Sequence, residues 1–312
     1  MRNDSPIKIS VVGNPYHRDL IKSTIEPMDG FITLTENRIK SSDLVYWISG
    51  PGPGVRNISL LTHQKPRLIV HWIGTDVLNY QSGPRKFHLM IARKLSDFLR
   101  KRKGIVHLAV SQWLVDELAT AGIKATFLPI TSIDIETMRH ENTNPNMSID
   151  FLSYIPRGRF NFYGGDKLIK LAEGLPQCSF LVIMPDVIDI SENADLPVHP
   201  ENVTFTAKID FHRMSDIYMR AKCFLRLTEH DGLSLSVLES MFYKLQVFWT
   251  YKFPYTIHVE QFEGLQQIMQ EVISSWRPNE AGHNYVVEHY STDAWKGKFR
   301  EMLLRDACMS LF

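Results

Sequence analysis

Apolar and polar positions follow two rhythms along the first 130 residues. Short apolar runs predict strands at Ile7–Val12, Asp43–Ile48, Arg67–Trp72, Ile105–Val110 and Ala125–Pro129. Helical spacing predicts helices over Asp19–Met28, from about Pro84 to Arg102, and over Gln112–Ala121, the last closed by Gly122. Ser49-Gly50-Pro51-Gly52-Pro53-Gly54, after the second run, cannot be helical. Residues 131–148 are polar, centred on Glu141-Asn142-Thr143-Asn144-Pro145-Asn146. The rhythm then restarts. Strands are predicted at Ile149–Tyr154, Phe180–Met184, Val203–Thr206, Cys223–Leu227 and Val247–Thr250, and helices at Gly164–Gly174, Arg213–Arg220 and Ser234–Tyr243. The tail is helical, with Trp295, Phe299, Leu303 and Ala307 on one face at successive i+4 positions.

Strands alternating with helices predict parallel sheets covered on both faces. The polar break predicts two domains, 1–140 and 141–290, with 291–312 returning as a helix against the first. The length of 312 residues fits that count. There is no sequence repeat, so the halves would share an architecture without sequence similarity.

Composition narrows the class. Hydrophobic residues make up 44% and charged residues 22% of the chain, which excludes disorder and low-complexity fibre. A net charge of +1 argues against a nucleic-acid binder. That balance hides an asymmetry. Residues 1–130 hold 18 Lys+Arg against 10 Asp+Glu, a net +8, and residues 131–312 hold 17 against 24, a net −7. Cys178, Cys223 and Cys308 are odd in number and widely spaced, which speaks against a disulfide scaffold or zinc site and fits a reducing compartment. No apolar run approaches the ~18 residues of a membrane span, and the N-terminal stub lacks the pattern of a targeting segment. The expected location is the cytoplasm.

The chemistry is less open. After the first strand the chain reads Val12-Gly13-Asn14-Pro15-Tyr16, with a single glycine, so a dinucleotide fingerprint is missing, as is a P-loop. Neither hydride transfer nor nucleoside triphosphate hydrolysis is favoured. The most informative segment is Leu225-Arg226-Leu227-Thr228-Glu229-His230-Asp231-Gly232-Leu233-Ser234, running on to Glu239. A strand ends, an Asp-Gly turn follows, and a helix opens whose first amides are unpaired and suited to phosphate. Glu239, one turn into that helix, can accept two hydrogen bonds from a vicinal diol such as a ribose. The bland alternative is an Asp at a helix cap and a surface Glu.

The run from Asn202 to Thr250 resembles the donor-site half of retaining GT-B glycosyltransferases, whose signature is an acid, seven residues, then a Glu. Ser153-Tyr154-Ile155-Pro156-Arg157-Gly158-Arg159 and Tyr163-Gly164-Gly165 resemble the basic loop and helix start that hold the diphosphate. Val70-His71-Trp72-Ile73-Gly74-Thr75-Asp76 and Ala109-Val110-Ser111 resemble segments of the acceptor domain. The resemblance spans about residues 40–309. Asp231 stands where the family usually has Glu, with Glu229 as an alternative alignment. Tyr163-Gly164 stands where Lys-Gly is usual, which removes one cation. The glycine-rich loop after the first strand is reduced to Gly13.

The resemblance implies an α/β fold of two doubly wound, Rossmann-like domains facing across a cleft. It implies transfer of a sugar, hexosyltransferase-like, from a nucleotide-diphosphate sugar to an acceptor hydroxyl with retention, and no metal or cofactor beyond the donor. The acceptor would be a sugar, a glycan or a lipid-linked acceptor. Arg157 or Arg159, Tyr163, Gly164 and the amides of Gly232, Leu233 and Ser234 would hold the donor's diphosphate, with Gly13 opposite. Glu239 would bind the ribose, Asp231 the transferred sugar, and His71 and Asp76 the acceptor side. Two rivals stay open: an inverting transferase with Asp76 as base, and a non-catalytic sugar- or nucleotide-binding relative. His71 also fits a packed core histidine, Asp76 a helix or turn cap, and Arg226 a buried ion pair with Glu229 or Asp231. The helix from Pro84 to Lys103 is rich in Arg and Lys with one acid, Asp97. It is either a solvated basic face or a docking surface for the anionic inner face of a membrane.

Overall fold

The computed structural model describes residues 6–26, 28, 30–35, 41–49, 67–81, 105–138, 147–190 and 196–309. The loop predicted at Gly50–Gly54, the basic helix predicted from Pro84 to Lys103, the polar run Glu141–Asn146 and the side chain of Ala307 lie outside the described residues. The chain divides into two compact units, Met1–Ser132 with Thr292–Phe312, and Ile133–Ser291.

The first unit holds strands β1 (Ile7–Gly13), β2 (Ile32–Leu34), β3 (Leu44–Ile48), β4 (Arg67–Trp72), β5 (Ile105–Ala109) and β6 (Ala125–Phe127). They form one six-stranded parallel sheet in the order β2-β1-β3-β4-β5-β6. All five residues of β3 are buried, as expected of a parallel strand covered on both faces. Helices α1 (Pro15–Ile25), α2 (Thr75–Gln81) and α3 (Gln112–Thr120) follow β1, β4 and β5. The helix predicted over Asp19–Met28 starts earlier. Asn14 caps it by accepting from the His17 amide at 3.4 Å, and Pro15 opens it with a preset φ.

In the second unit, the short α4 (Ile135–Met138) precedes β7 (Ile149–Tyr154), α5 (Gly165–Glu173), β8 (Phe180–Ile183), β9 (Val203–Thr206), α6 (Phe211–Arg220), β10 (Ala221–Arg226), α7 (Leu235–Phe242), β11 (Gln246–Trp249) and β12 (Ile257–His258). Helices α8 (Leu265–Ser274) and α9 (Glu280–Tyr290) close it. Its parallel sheet runs β12-β11-β10-β7-β8-β9. Counted from β7, that is the doubly wound order 3-2-1-4-5-6. Its core joins Phe151, Phe180 and Val182 to Leu225 and Phe248, with Phe151 and Phe180 stacked at 4.9 Å.

The last helix, α10 (Thr292–Met309), belongs to the first unit. Trp295, Phe299 and Leu303 are buried, and Phe299 meets the ring of Tyr46 on β3 edge-on at 5.6 Å while stacking on Trp295 at 4.6 Å. No helix among the described residues is long and apolar enough to cross a membrane.

Candidate functional site

In a doubly wound sheet, ligands bind beyond the carboxyl ends of the strands where the order reverses. In the second unit that point lies between β7 and β10, which pair in parallel. The loops leaving them are the two segments singled out from sequence, Ile155–Gly164 and Leu227–Ser234.

The loops are stapled together. The Glu229 amide donates to the Phe162 carbonyl at 2.9 Å, and the Thr228 hydroxyl donates to the same oxygen at 3.2 Å. Gly164 caps α5 in the left-handed region at φ 78°, and a Cβ there would lie 2.4 Å from the Leu227 carbonyl oxygen. Only glycine allows so close an approach. The basic loop after β7 is held from β8. Asp186 accepts from the Arg157 amide at 2.7 Å and the Gly158 amide at 2.8 Å. Burial raises the Asp186 pKa, but these amides outweigh it and the net shift is downward. Arg157 and Arg159 themselves are exposed, with the Arg159 guanidinium over the Phe162 ring at 4.3 Å.

Asp231 lies against a buried cation. Arg226, the last residue of β10, grips it with both prongs of the guanidinium, Nε to Oδ2 at 2.7 Å and Nη2 to Oδ1 at 3.1 Å. Their side chains are 9% and 11% exposed. Burial opposes the charge on Arg226, and Asp231 more than offsets that, so its pKa rises. The same guanidinium sits over the Tyr163 ring at 4.7 Å. The Asp231 amide donates to the Tyr251 hydroxyl at 3.2 Å. The pairing of Arg226 with an acid is therefore realised by Asp231, while Glu229 is exposed.

Gly232, Leu233 and Ser234 are buried and lead into α7, whose cap Ser234 makes no side-chain cap bond and lies 3.0 Å from the Ser236 hydroxyl. Glu239 is 7% exposed, not a surface residue, and accepts from the Tyr218 hydroxyl at 2.8 Å. Tyr218 stacks on Tyr243 at 5.4 Å. Burial first, then the charge of Glu239, pushes the Tyr154 hydroxyl up to about 12. One unit thus brings together Arg157, Arg159, Tyr163, Gly164, Asp231, Gly232, Leu233, Ser234 and Glu239. Asp186, Tyr218 and Tyr251 were not among the expected site residues, and Tyr154 entered only as part of the basic-loop segment. Only Asp186 carried a signal, as an acid just beyond a predicted strand.

The first-unit candidates differ. Gly13 ends β1 at φ 120°, and a Cβ there would fall 2.0 Å from the Ile48 carbonyl oxygen, so its role is close packing of β1 on β3. His71 has no exposed surface. Its Nε2 lies 2.8 Å from the Leu128 carbonyl and its Nδ1 2.6 Å from the Tyr46 hydroxyl. A carbonyl only accepts, so Nε2 carries the proton and Nδ1 accepts from Tyr46. Burial lowers the pKa to about 3, leaving the ring neutral. With both nitrogens occupied and no open face, His71 is a packed core histidine and not a substrate contact. The acceptor-side role expected for it gives way to the coupling of β3, β4 and the chain after β6.

Asp76 lies in the first turn of α2 and holds the chain that enters it. Its Oδ1 accepts from the amides of Ile73, Gly74 and Val77 at 3.1, 2.8 and 3.0 Å. Burial pushes its pKa up to about 6 despite those amides. A carboxyl raised in the folded state stabilises the fold while protonated. That contribution is complete below about pH 4 and lost as pH rises through about 6. Asp76→Asn should therefore gain on the wild type between pH 4 and 7, by up to about 3 kcal/mol, in urea titrations at each pH. A difference constant across that range would show the carboxyl to be solvated.

Among the described residues no three His, Cys, Asp or Glu side chains cluster as a metal site requires. No family profile and no curated protein matches the sequence. Solved structures do. HepE from Anabaena, crystallised with UDP and glucose, aligns at TM-score 0.69 and 10% identity over 96% of this chain and 100% of its own. A glycosyltransferase from Rickettsia africae aligns at 0.69 and 12%, over 97% and 99%. TarM aligns at 0.61 and 13% over 83% of this chain, which spans only 54% of TarM's length. At such identities the likeness is one of fold: two α/β units, each on six parallel strands, as in GT-B glycosyltransferases.

Proposed function

We propose that the chain transfers a sugar from a nucleotide-diphosphate sugar, with UDP the first nucleotide to try, to an acceptor hydroxyl. The observation that carries this reading is the convergence of the two stapled loops, Gly164 and Glu239 at the switch point of the second unit. Its support from likeness is that HepE, which shares the whole fold, was crystallised with UDP-glucose.

In this reading the ribose hydroxyls meet Glu239, held by Tyr218. The diphosphate meets the first amides of α5 and α7 and the Arg157 and Arg159 side chains. Negative charge grows on the diphosphate as the glycosidic bond breaks. Fixed amides and guanidinium groups stabilise that charge without reorganising. Retention and independence of metal complete the proposal. A non-catalytic binder is the second reading, favoured by Tyr163 at the usual lysine position and by Asp231 already engaged with Arg226.

Turnover of labelled nucleotide sugars with purified protein tests the first reading, and the anomer of the product reports retention. Binding without turnover supports the second. Glu239→Ala should weaken nucleotide-sugar binding by about tenfold or more, the worth of a hydrogen bond to a charged group, while the melting curve stays cooperative. Unchanged affinity in that variant would remove the ribose assignment.

A further inference from the structure

Arg226 has capacity that the ion pair does not use. A guanidinium carries five N–H groups in a fixed fork. Asp231 takes two, and the Tyr154 carbonyl accepts a long one from Nη1 at 3.5 Å. Tyr163 offers its ring and hydroxyl. Among the described residues at least one donor is still uncommitted. The group is nine-tenths buried, so it keeps its charge where water screens little.

Its position in the fold is informative. The next residue, Leu227, presents the carbonyl that touches Gly164. The ring beneath the guanidinium belongs to Tyr163, the residue before Gly164. Arg226 therefore borders the start of α5 from two sides, through the chain it continues and through the ring it covers. Tyr163 supplies no cation there, and the guanidinium of β10 lies on that tyrosine.

We infer that Arg226 is a cation for the donor's diphosphate and that Asp231 is its internal competitor, so that the ion pair sets how tightly the diphosphate is held. The inference rests on the proposed nucleotide-sugar reading. Two strong acceptors, a carboxylate and a phosphate, would share one fork. Asp231 lets a buried Arg persist in the empty site at the cost of weaker hold on the diphosphate. An incoming phosphate takes the uncommitted N–H and loosens the Asp231 grip.

Calorimetric titration decides, with a nucleoside diphosphate and its parent nucleoside as probes. The base is chosen by screening UDP, GDP, ADP and dTDP on the wild type. Asp231→Asn should bind the diphosphate about tenfold more tightly, with nucleoside affinity unchanged. Arg226→Gln should lose about tenfold on the diphosphate alone. Because Arg226→Gln leaves Asp231 buried without its partner, the double variant with Asp231→Asn serves as the folded, neutral control. It should match Arg226→Gln and show none of the gain from Asp231→Asn, since the two residues act as one unit. Equal or weaker diphosphate binding by a folded Asp231→Asn protein would overturn the inference, as would equal losses on nucleoside and diphosphate in the double variant. In either case the wild type still binds the nucleotide and the glycosyl-transfer reading survives. Failure of all four diphosphates to bind the wild type overturns both.

Discussion

Gly164→Ala is expected to cost about 2–4 kcal/mol of stability and to reduce nucleotide-sugar binding by an order of magnitude or more. Two effects add. A left-handed conformation costs an alanine about 1–2 kcal/mol by itself, and Gly164 has φ 78°. The new methyl would also fall 2.4 Å from a backbone oxygen and 2.7 Å from the Leu227 Cβ. Neither atom is the end of a flexible side chain. The segment carrying them is tied to Phe162 by the Glu229 amide and the Thr228 hydroxyl, so it cannot retreat alone. Relief must come from sliding α5 away from β10, which moves its first amides off the position proposed for the diphosphate. Displacements of about 1 Å at such positions cost on the order of 100-fold in function. Urea unfolding and a nucleotide-sugar titration measure the two effects. A variant with wild-type midpoint and affinity would show that the loops are not packed as described.

The second large effect concerns the first unit. Phe299→Ala should destabilise it by about 3–5 kcal/mol, the usual loss for a buried phenylalanine. Phe299 is fully buried and touches rings on both sides, Tyr46 from β3 and Trp295 from its own helix. Truncation removes its own burial and leaves a void that two rigid rings cannot fill. Leu304, on the same helix, is 46% exposed and makes the natural control, with Leu304→Ala close to neutral. If both variants lose the same stability, the apolar stripe is not what attaches α10. The pair also separates the units. Phe299→Ala should lower the melting of the first unit while leaving the nucleotide affinity proposed for the second within a factor of about two.

The strands were legible because parallel strands buried on both faces leave uninterrupted apolar runs. The runs Arg67–Trp72, Ile149–Tyr154 and Val203–Thr206 coincide with β4, β7 and β9. Of the elements that escaped, some are short, but α8 and α9 are full-length helices of ten and eleven residues. β2 has three residues and β12 two. α2 reads Thr-Asp-Val-Leu-Asn-Tyr-Gln and shows no apolar period. α9 buries little beyond Gly282, Val286 and Tyr290 and begins at an Asn cap after a proline.

Of the candidate site, residue types and local motifs could be read, because Gly164 and Asp231 sit at strand–loop–helix junctions and Glu239 one turn into the helix that follows, a spacing the sequence reveals. Their partners could not. Tyr218 lies 21 residues from Glu239 in sequence, and Leu128 lies 57 from His71. Such contacts exist only once the sheets are assembled. His71 and Asp76 were misleading for the same reason. Whether a polar residue at a strand end faces a ligand or its own backbone depends on chain that arrives from elsewhere.

The return of α10 gives the two units different fates during synthesis. The second unit is continuous, Ile133–Ser291, and all of it leaves the ribosome before α10 does. The first unit needs a helix encoded after the whole of the second. The usual order, in which N-terminal domains finish first, is reversed here. The nascent first sheet must wait, with the surface around Tyr46 uncovered, while some 160 residues are made at about 5–20 per second. Translation speed and chaperone supply should therefore govern the yield of the first unit far more than that of the second.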